Sequence, residues 1–233
     1  MEIKPLQKFP RDTLEQLLSA IPFFKAVRQQ DSWQFELLLQ SSRVVIYAPG
    51  EVVLRRGDVD NWMYFLLKGR LAVYVDDPGS GELVNYVTPG EVFGDLARLV
   101  RQPRTATLIA DTNCRESMVF ATDCTIFGDL SSGRPITLQT KLAYYRNTVH
   151  NLRWKLEVYR AQHLQHSLAN RHRQVRLYNG PKDTFDELRA LHDQAYALAL
   201  LLLEWNSEFG VPNIDQAPPA PDLISVLDRR GNH

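Results

Sequence analysis

Cysteine is nearly absent from this chain of 233 residues, which has only Cys114 and Cys124. Two cysteines in strand-like segments, outside any spaced series, exclude a disulfide framework and are typical of a reducing compartment. We interpret both as small, buried apolar side chains. The opening sequence MEIKPLQKFPRDTLEQLL is charged every few residues and has no apolar run of signal-peptide length. We therefore expect a cytoplasmic protein.

Long hydrophobic runs are also lacking, although 44% of the residues are hydrophobic, which is enough for a sizeable core. The conspicuously apolar stretch AYALALLLL, which begins at Ala195, is far shorter than the about 20 residues that a membrane-spanning helix needs. It predicts a buried helix face, and we expect no membrane partner.

A net charge is missing, because 27 basic residues balance 27 acidic ones. This balance argues against a protein whose main role is to hold nucleic-acid phosphates. The charge is nevertheless uneven. Residues 141–176 are basic, and the helix predicted after them is acidic, with Asp183, Asp186, Glu187, Asp193, Glu204 and Glu208. We expect the basic stretch 171–176 to pair with this acidic helix, in the same chain or in a partner chain.

Catalytic motifs are absent too, since no zinc-protease, nucleophile-elbow or Walker spacing occurs. His163 and His166 lie three residues apart, but no third ligand is near them in the sequence, so we predict no metal site. We interpret them as the solvent-exposed end of a dimer seam. The sequence therefore does not predict an enzyme.

The first half alternates glycine turns with short segments rich in Val, Tyr, Phe and Leu. Residues 11–40 show helical spacing of leucines, and the glycines after them separate the segments VVL, MYFLL, LAVYV, LVNYV, TATLIA and SMVFA. Many short strands between glycine turns predict a jelly-roll barrel. The polar residues 76–81 predict a hairpin tip. We therefore expect a mainly β jelly-roll barrel with N-terminal helices over residues 1–135.

The second half predicts an α-helical C-terminal segment. Apolar residues after Pro135 alternate gaps of four and three, at Leu138, Leu142, Tyr145, Val149, Leu152, Leu156 and Tyr159. This heptad seam predicts a long dimerisation helix over residues 136–178 in a homodimer; alternatively, the seam lies against the barrel.

Residues 179–233 form the third predicted unit. Asn179-Gly180-Pro181 breaks the chain, and an acidic helix follows from about Thr184 to Phe209, with Asp183 or Thr184 as its N-cap. The tail after Gly210 contains APPAP and is expected to be extended or disordered as far as Leu223 to Leu227, a segment able to dock.

The residues from Gly94 to Arg104 carry the most specific chemistry. Gly94 allows close backbone approach, and residues 95–100 read as a short helix whose free N–H groups favour an anion. Arg104, after a proline-fixed turn, could grip a phosphate through two parallel hydrogen bonds. Asp95 could accept from a sugar hydroxyl beside it. The stretch therefore predicts a site for a ribose phosphate. The alternative is a purely structural salt bridge between Asp95 and Arg104 that connects a turn to a strand.

This stretch resembles the phosphate-binding cassette of the cyclic-nucleotide-binding family, whose pattern is Phe-Gly-Glu-Leu-Ala, a short gap, and Pro-Arg-(Ala/Ser/Thr)-Ala-Thr. The matching residues, in order and spacing, are Phe93, Gly94, Leu96, Ala97, Pro103, Arg104, Thr105, Ala106 and Thr107. The upstream run from Pro49 to Val75, with Gly50, Gly57 and Gly69, is similar to the family's opening strands. The resemblance covers about residues 20–160.

The resemblance implies a role for each matching residue. Arg104 would pair with the cyclic phosphate, Asp95 would contact the ribose 2′-hydroxyl, and the other residues lining the site would be Gly94, Leu96, Ala97 and Thr105. Asp95 departs from the family's glutamate and is shorter by one C–C bond, roughly 1.5 Å. Arg98 stands where the family has an apolar residue, and we expect it at the pocket mouth or in solvent. In the kinase branch of the family, a threonine at the position of Thr105 accompanies a preference for cGMP. Across the family cAMP is the more frequent ligand, so we favour cAMP.

The family's bacterial activators continue into a helix-turn-helix, which this sequence lacks. An acidic helix would be repelled by DNA phosphates, so DNA binding through it is disfavoured. The leading hypothesis is thus a dimeric sensor of cAMP, with cGMP as the second ligand, that rearranges its helical segment to regulate a protein partner. Two alternatives stay open: a transcription regulator with an unrecognised DNA-binding element, and a degenerate dimer scaffold without ligand.

Overall fold

Two antiparallel sheets and six α-helices make up the described part of the chain, which in this computed structural model is residues 1–75 and 83–209. The predicted hairpin tip at 76–81 and the predicted tail after Gly210 lie outside the described residues. The strands are β1 (Glu2–Lys4), β2 (Ser42–Tyr47), β3 (Val52–Leu54), β4 (Trp62–Lys68), β5 (Leu71–Tyr74), β6 (Leu83–Val87), β7 (Val92–Phe93), β8 (Thr107–Ala110) and β9 (Ser117–Asp123).

The strands form one five-stranded sheet in the order β1-β2-β9-β4-β7 and one four-stranded sheet in the order β3-β8-β5-β6. Alternate residues of the strands point into a shared apolar core between the sheets, which includes Val45, Leu66, Leu71, Leu108 and Val119. The prediction of a mainly β domain made of short, glycine-separated strands is therefore confirmed.

Residues 11–40 are helical, as predicted, and form three helices: α1 (Arg11–Ser19), α2 (Pro22–Gln30) and α3 (Ser32–Gln40). Pro22 begins α2 at a position where its missing N–H costs nothing. Asp31 caps α3, because its carboxylate accepts hydrogen bonds from the backbone N–H of Trp33 (2.9 Å) and of Gln34 (3.1 Å). The helices bury Phe24 and Leu38 against Phe65 and Phe120 of the five-stranded sheet.

The cassette forms a short helix, α4 (Asp95–Val100), and two long helices follow the sheets, α5 (Leu138–Gln162) and α6 (Phe185–Phe209). Helix α5 therefore ends well before the predicted residue 178. The chain then makes a 3₁₀ turn over Arg171–Gln174 and returns as α6. Thr184 is the N-cap of α6, since its hydroxyl accepts from the backbone N–H of Glu187 at 3.2 Å.

The heptad seam of α5 is covered by α6 of the same chain, which corrects both predictions for its partner, a second copy of α5 or the barrel. Leu142, Leu152 and Leu156 are buried against leucines and alanines of α6. Because residues 163–184 connect α5 to α6 within one chain, α6 reaches the seam without a second chain. The apolar face AYALALLLL is what α6 contributes, through Ala195, Leu198, Ala199, Leu201 and Leu202.

Helices α5 and α6 form a helical hairpin, and ion pairs stabilise it. One of these ion pairs joins the basic stretch to the acidic helix, as predicted. Arg171 pairs with Glu204 of α6, whereas Arg173 pairs with Glu157 of α5 at 2.9 Å. Arg146 of α5 pairs with Glu187 at 2.6 Å. Burial alone would raise the pKa of the Glu157 carboxyl, but hydrogen bonds from His172, Arg160 and Arg173 outweigh it and lower the pKa to about 2.

The cysteines and histidines differ in detail from their predicted places. Cys124 is buried as expected, but Cys114 is only partly buried, and both lie outside the strands. His163 and His166 pack on Trp205 and Phe209 of α6 rather than ending a dimer seam. Within the described ranges, no three potential metal ligands gather at one place. None of the helices described is both long and apolar enough to cross a membrane.

Candidate functional site

The six predicted ligand-binding residues line one cavity between the four-stranded sheet, α4 and the helical hairpin. The cavity has a volume of about 120 Å³. Strand residues such as Leu54, Val73 and Leu108 make its apolar wall. The predicted residues that line it are Gly94, Asp95, Leu96, Ala97, Arg104 and Thr105.

Arg104 is held at the cavity by a buried network. Its Nε and Nη2 atoms donate to the two carboxylate oxygens of Asp60, at 3.2 and 2.5 Å, and its Nη1 donates to the carbonyl oxygen of Gly94 at 2.8 Å. The guanidinium carbon lies 5.3 Å from the ring centre of Tyr64. A guanidinium has five N–H donors, so two remain after these three hydrogen bonds. Those two donors can serve a bound anion.

The side chain of Arg104 is 4% exposed, and Asp60 supplies the charge that makes this burial tolerable. The backbone brings the pair together: the N–H of Arg104 donates to the carbonyl of Asp58 at 3.0 Å, and the N–H of Gly57 donates to the carbonyl of Arg104 at 2.9 Å. The sequence suggested a salt bridge between Arg104 and Asp95 as the alternative to a ligand site. Arg104 does form a salt bridge with an aspartate, but that aspartate is Asp60.

Asp60 is the functional residue that sequence reasoning missed. It lies 44 positions before Arg104 in the polar turn that follows Gly57, and no local spacing relates the two. The available signal was an acid in a glycine turn directly before an apolar strand. Asp60 also affects Tyr64: burial, together with the Asp60 carboxylate, raises the pKa of this phenol well above its ordinary value.

Asp95 begins α4 and lies in the cavity wall with its residue 5% exposed. No hydrogen bond to its carboxylate is found among the described residues, in contrast to the three hydrogen bonds that the guanidinium of Arg104 donates. Its acceptor oxygens are therefore uncommitted within this part of the chain, as a residue that receives a ligand hydroxyl requires.

Gly94 has φ +77°, a left-handed conformation that favours glycine, and it lies directly under Arg104. A Cβ built there would overlap Nη1 of Arg104 and would lie 3.1 Å from Cδ2 of Tyr64. The need for glycine expected from the sequence thus has two causes, the backbone angle and the closeness of the guanidinium.

Gly94→Ala is expected to lower the free energy of unfolding more than Gly90→Ala does. Both glycines have positive φ, but a Cβ at Gly90 (φ +93°) meets nothing within 4 Å. The shared backbone strain costs about 1 kcal/mol or more, and only G94A must also displace Arg104. Urea unfolding of the two variants measures the difference, and equal losses of stability would contradict the close packing at Gly94.

Arg98 lies elsewhere than expected. It is neither at the mouth of this cavity nor in solvent, but points to the opposite side of α4, where its Nη2 donates to the hydroxyl of Tyr144. Helix α5 carries an aromatic face at this point, and a long side chain at position 98 reaches it.

The helical hairpin closes the cavity on its outer side. Lys155 of α5 and Leu202 and Asn206 of α6 line it, and the amide oxygen of Asn206 accepts a hydrogen bond from the hydroxyl of Tyr159 at 2.6 Å. Helix α4 packs on the same hairpin through Leu96, Leu99 and Val100. The residues at the site and the hairpin are therefore in direct contact.

Comparison with known proteins is consistent with this geometry. Residues 44–127 match the family model described as "Cyclic nucleotide-binding domain". A cAMP-dependent protein kinase regulatory subunit of Eremothecium gossypii is 31% identical over 104 residues, which cover 45% of this chain and 22% of that protein. The human potassium/sodium hyperpolarization-activated cyclic nucleotide-gated channel 3 is 37% identical over 78 residues, 34% of this chain and 10% of the channel.

Among solved structures, the N-terminal domain of a transcriptional regulator from Streptomyces coelicolor A3(2) is 27% identical, covering 59% of this chain and 92% of that one, with a TM-score of 0.44. The match to the curated relatives spans a quarter or less of their length in the two cases above. Those relatives are named as regulatory and gated proteins. The family model and the relatives confirm the family expected from the cassette, and the chain carries, over residues 44–127, a domain of the cyclic nucleotide-binding family.

Proposed function

We propose that the chain is a sensor of cyclic nucleotides, with cAMP as its principal ligand and cGMP as the weaker one, and that it regulates a protein partner in the cytoplasm without being an enzyme. One observation carries the proposal: Arg104 is buried at a cavity with two uncommitted N–H donors, beside the uncommitted carboxylate of Asp95. A cyclic phosphate would accept from Arg104, and the ribose hydroxyl would donate to Asp95.

The size of the cavity supports a movement of the hairpin on binding. Small-molecule sites typically enclose about 300–1,000 Å³, whereas this cavity measures about 120 Å³ with Leu202 and Asn206 in its wall. A nucleotide therefore fits best when the last turns of α6 shift outward. Because α4 also packs on α6, binding at the cassette favours one arrangement of α5 and α6 over another, as a population shift requires.

The protein partner would bind to the surface of the hairpin formed by α5 and α6. Its outer side offers charged residues whose positions depend on the packing of α6, including the pair Arg171 and Glu204. The regulatory names of the relatives support a protein effector for this chain as well, and their partial coverage leaves its identity to experiment.

The homodimer stays a prediction. Since α6 covers the heptad seam, two chains would pair through another surface or after α6 has left α5. Sedimentation velocity with and without cAMP measures this, and a monomer at all concentrations and in both states would contradict the dimer.

Calorimetry with cAMP, cGMP and 5′-AMP tests the sensor. We expect 1:1 binding of cAMP, weaker binding of cGMP and the weakest of 5′-AMP, whose open phosphate cannot present the same ring to Arg104. A ligand at 100 times its dissociation constant should also stabilise the fold by about 2.7 kcal/mol. If no cyclic nucleotide gives heat or a thermal shift, the degenerate scaffold is the correct interpretation.

Hydrogen exchange tests the movement. Saturating cAMP is expected to change the exchange of amides in the last turns of α6 and to leave those of α1 as they are, because α1 touches neither the cavity nor the hairpin face that covers it. Binding without any change in α6 would refute the coupling while leaving the ligand site intact.

A further inference from the structure

A second cavity, half of whose lining residues are basic or phenolic, lies on the opposite side of α4 from the first. It has a volume of about 200 Å³, compared with the about 10–15 Å³ that a single water needs. It is bounded by α4, the turn after β9, the first half of α5 and His192 of α6. Among the described residues, the two cavities share no lining residue. Its polar groups include Arg98, Arg101, Lys141, Tyr144, Tyr145 and His192.

The positive charges of this second cavity outnumber the acids near them, which are Asp129 in its lining and Asp95, whose charge acts on Arg98. Lys141 is 2% exposed, and its Nζ donates to two backbone carbonyls, those of Asp129 and of Ser132 (2.7 Å), rather than to a carboxylate. Burial lowers the pKa of this ammonium, as expected for a buried charge with too little counter-charge. Of the described residues that line the cavity, Asp129 is the one acid, and its side chain is exposed to solvent.

Arg98 leaves a donor unused in the same place. Its guanidinium lies 5.1 Å from the ring centre of Tyr144 and donates to the hydroxyl of that residue. Its Nε atom is shielded from solvent and has no hydrogen-bond partner among the described residues. A buried donor without a partner costs roughly 1–3 kcal/mol, so an occupant that accepts from it would be stabilised.

Arg101 completes the set from the end of α4. Its backbone has φ +54°, in the left-handed region, so the chain turns here and sends the next residues away from the helix. The side chain is exposed and lines the cavity, and no ion pair to it is found within the described ranges. Three cations thus converge from α4 and α5 on one accessible space.

We propose that this second cavity is an anion site for a phosphate-bearing small molecule, separate from the cyclic-nucleotide site. Arg98 and Arg101 would supply guanidinium donors, Lys141 a point charge and Tyr145 a hydroxyl, a combination that suits a tetrahedral oxyanion. An anion bound there would connect α4 to α5 and α6. Because Asp95 and Arg98 are one turn apart on α4, its binding would bear on the nucleotide cavity as well.

The test is a titration of the whole chain with inorganic phosphate, in which chloride keeps the ionic strength constant. NMR of the arginine Nε–H resonances monitors each step of the titration. We expect a saturable, 1:1 shift of the Arg98 Nε–H signal. Arg101→Asn is expected to weaken the binding about tenfold, the order of one charge-assisted hydrogen bond, and Asn tolerates the left-handed backbone at this position. Arg98→Gln is expected to abolish phosphate binding in calorimetry, which is used for this variant because it lacks the Arg98 signal.

Arg115→Gln is the matched control, since Arg115 is an exposed arginine near the start of β9 that lines neither cavity. It should bind phosphate as the wild type does. R101N should keep its affinity for cAMP, which shows that the fold and the first cavity are intact. A phosphate shift that is not saturable, or phosphate binding that is as strong in R101N and R98Q as in the wild type, would overturn the proposal. So would a shift that is lost in Arg104→Ala alone, since it would locate the phosphate in the cassette.

Discussion

Arg104→Ala is expected to weaken cAMP binding by roughly 100-fold or more, about 3 kcal/mol, in calorimetry. The variant removes a buried guanidinium whose position is set by Asp60 and by the carbonyl of Gly94, and with it the two donors left for a ligand phosphate. The barrel core between the two sheets does not include this side chain, so the variant should retain its strands.

Arg104→Lys separates charge from geometry. A lysine keeps the positive charge and can still pair with Asp60, but it lacks the planar fork that serves two carboxylate oxygens and a phosphate together. Its affinity for cAMP should fall between those of wild type and R104A. Arg11→Ala is the control, because Arg11 also pairs with carboxylates, Glu15 and Glu36, but on α1 and far from the cavity. Undiminished affinity in R104A would refute the assigned site.

Trp205→Ala is expected to lower the free energy of unfolding by about 3–5 kcal/mol, the usual cost of truncating a large buried aromatic residue. Trp205 is 1% exposed and stacks on Tyr159 of α5, with ring centres 5.0 Å apart and planes 10° apart. His163, His166 and Phe209 pack around the same ring. Its loss removes the main apolar contact that holds the end of α6 on α5.

Trp33→Ala provides the matched control for this second variant, since Trp33 on α3 is 60% exposed and its removal should change stability by less than about 0.5 kcal/mol. Urea unfolding measures both variants, and hydrogen exchange shows whether W205A loosens α6 alone or the whole fold. Asn206, next to Trp205, lines the cavity, so a loosened α6 should also speed nucleotide entry. Equal stability of W205A and W33A would contradict the role of the aromatic cluster.

The strands that sequence reasoning found are those with strong local signals. Glycine turns and β-branched runs located β3, β4, β5, β6, β8 and β9, because period-two patterns and turn residues act over a few positions. The short strands β1 and β7 were missed, and so was β2, which follows α3 directly with no glycine before it. These strands form through pairing with distant partners, such as β1 with β2, which a local pattern does not record.

The sequence by itself determined the cassette, the periodicity of α5 and the break before α6, because each depends on neighbours along the chain: a glycine before a short helix, a heptad spacing, and Asn179-Gly180-Pro181. Only the tertiary structure decided which residues and helices pack against those features. A heptad face is equally well covered by any apolar helix, and here the covalent return brings α6 to it. Likewise, Asp60 reaches Arg104, and Arg98 the second cavity, only because strand pairing and helix packing bring together residues that the sequence keeps far apart.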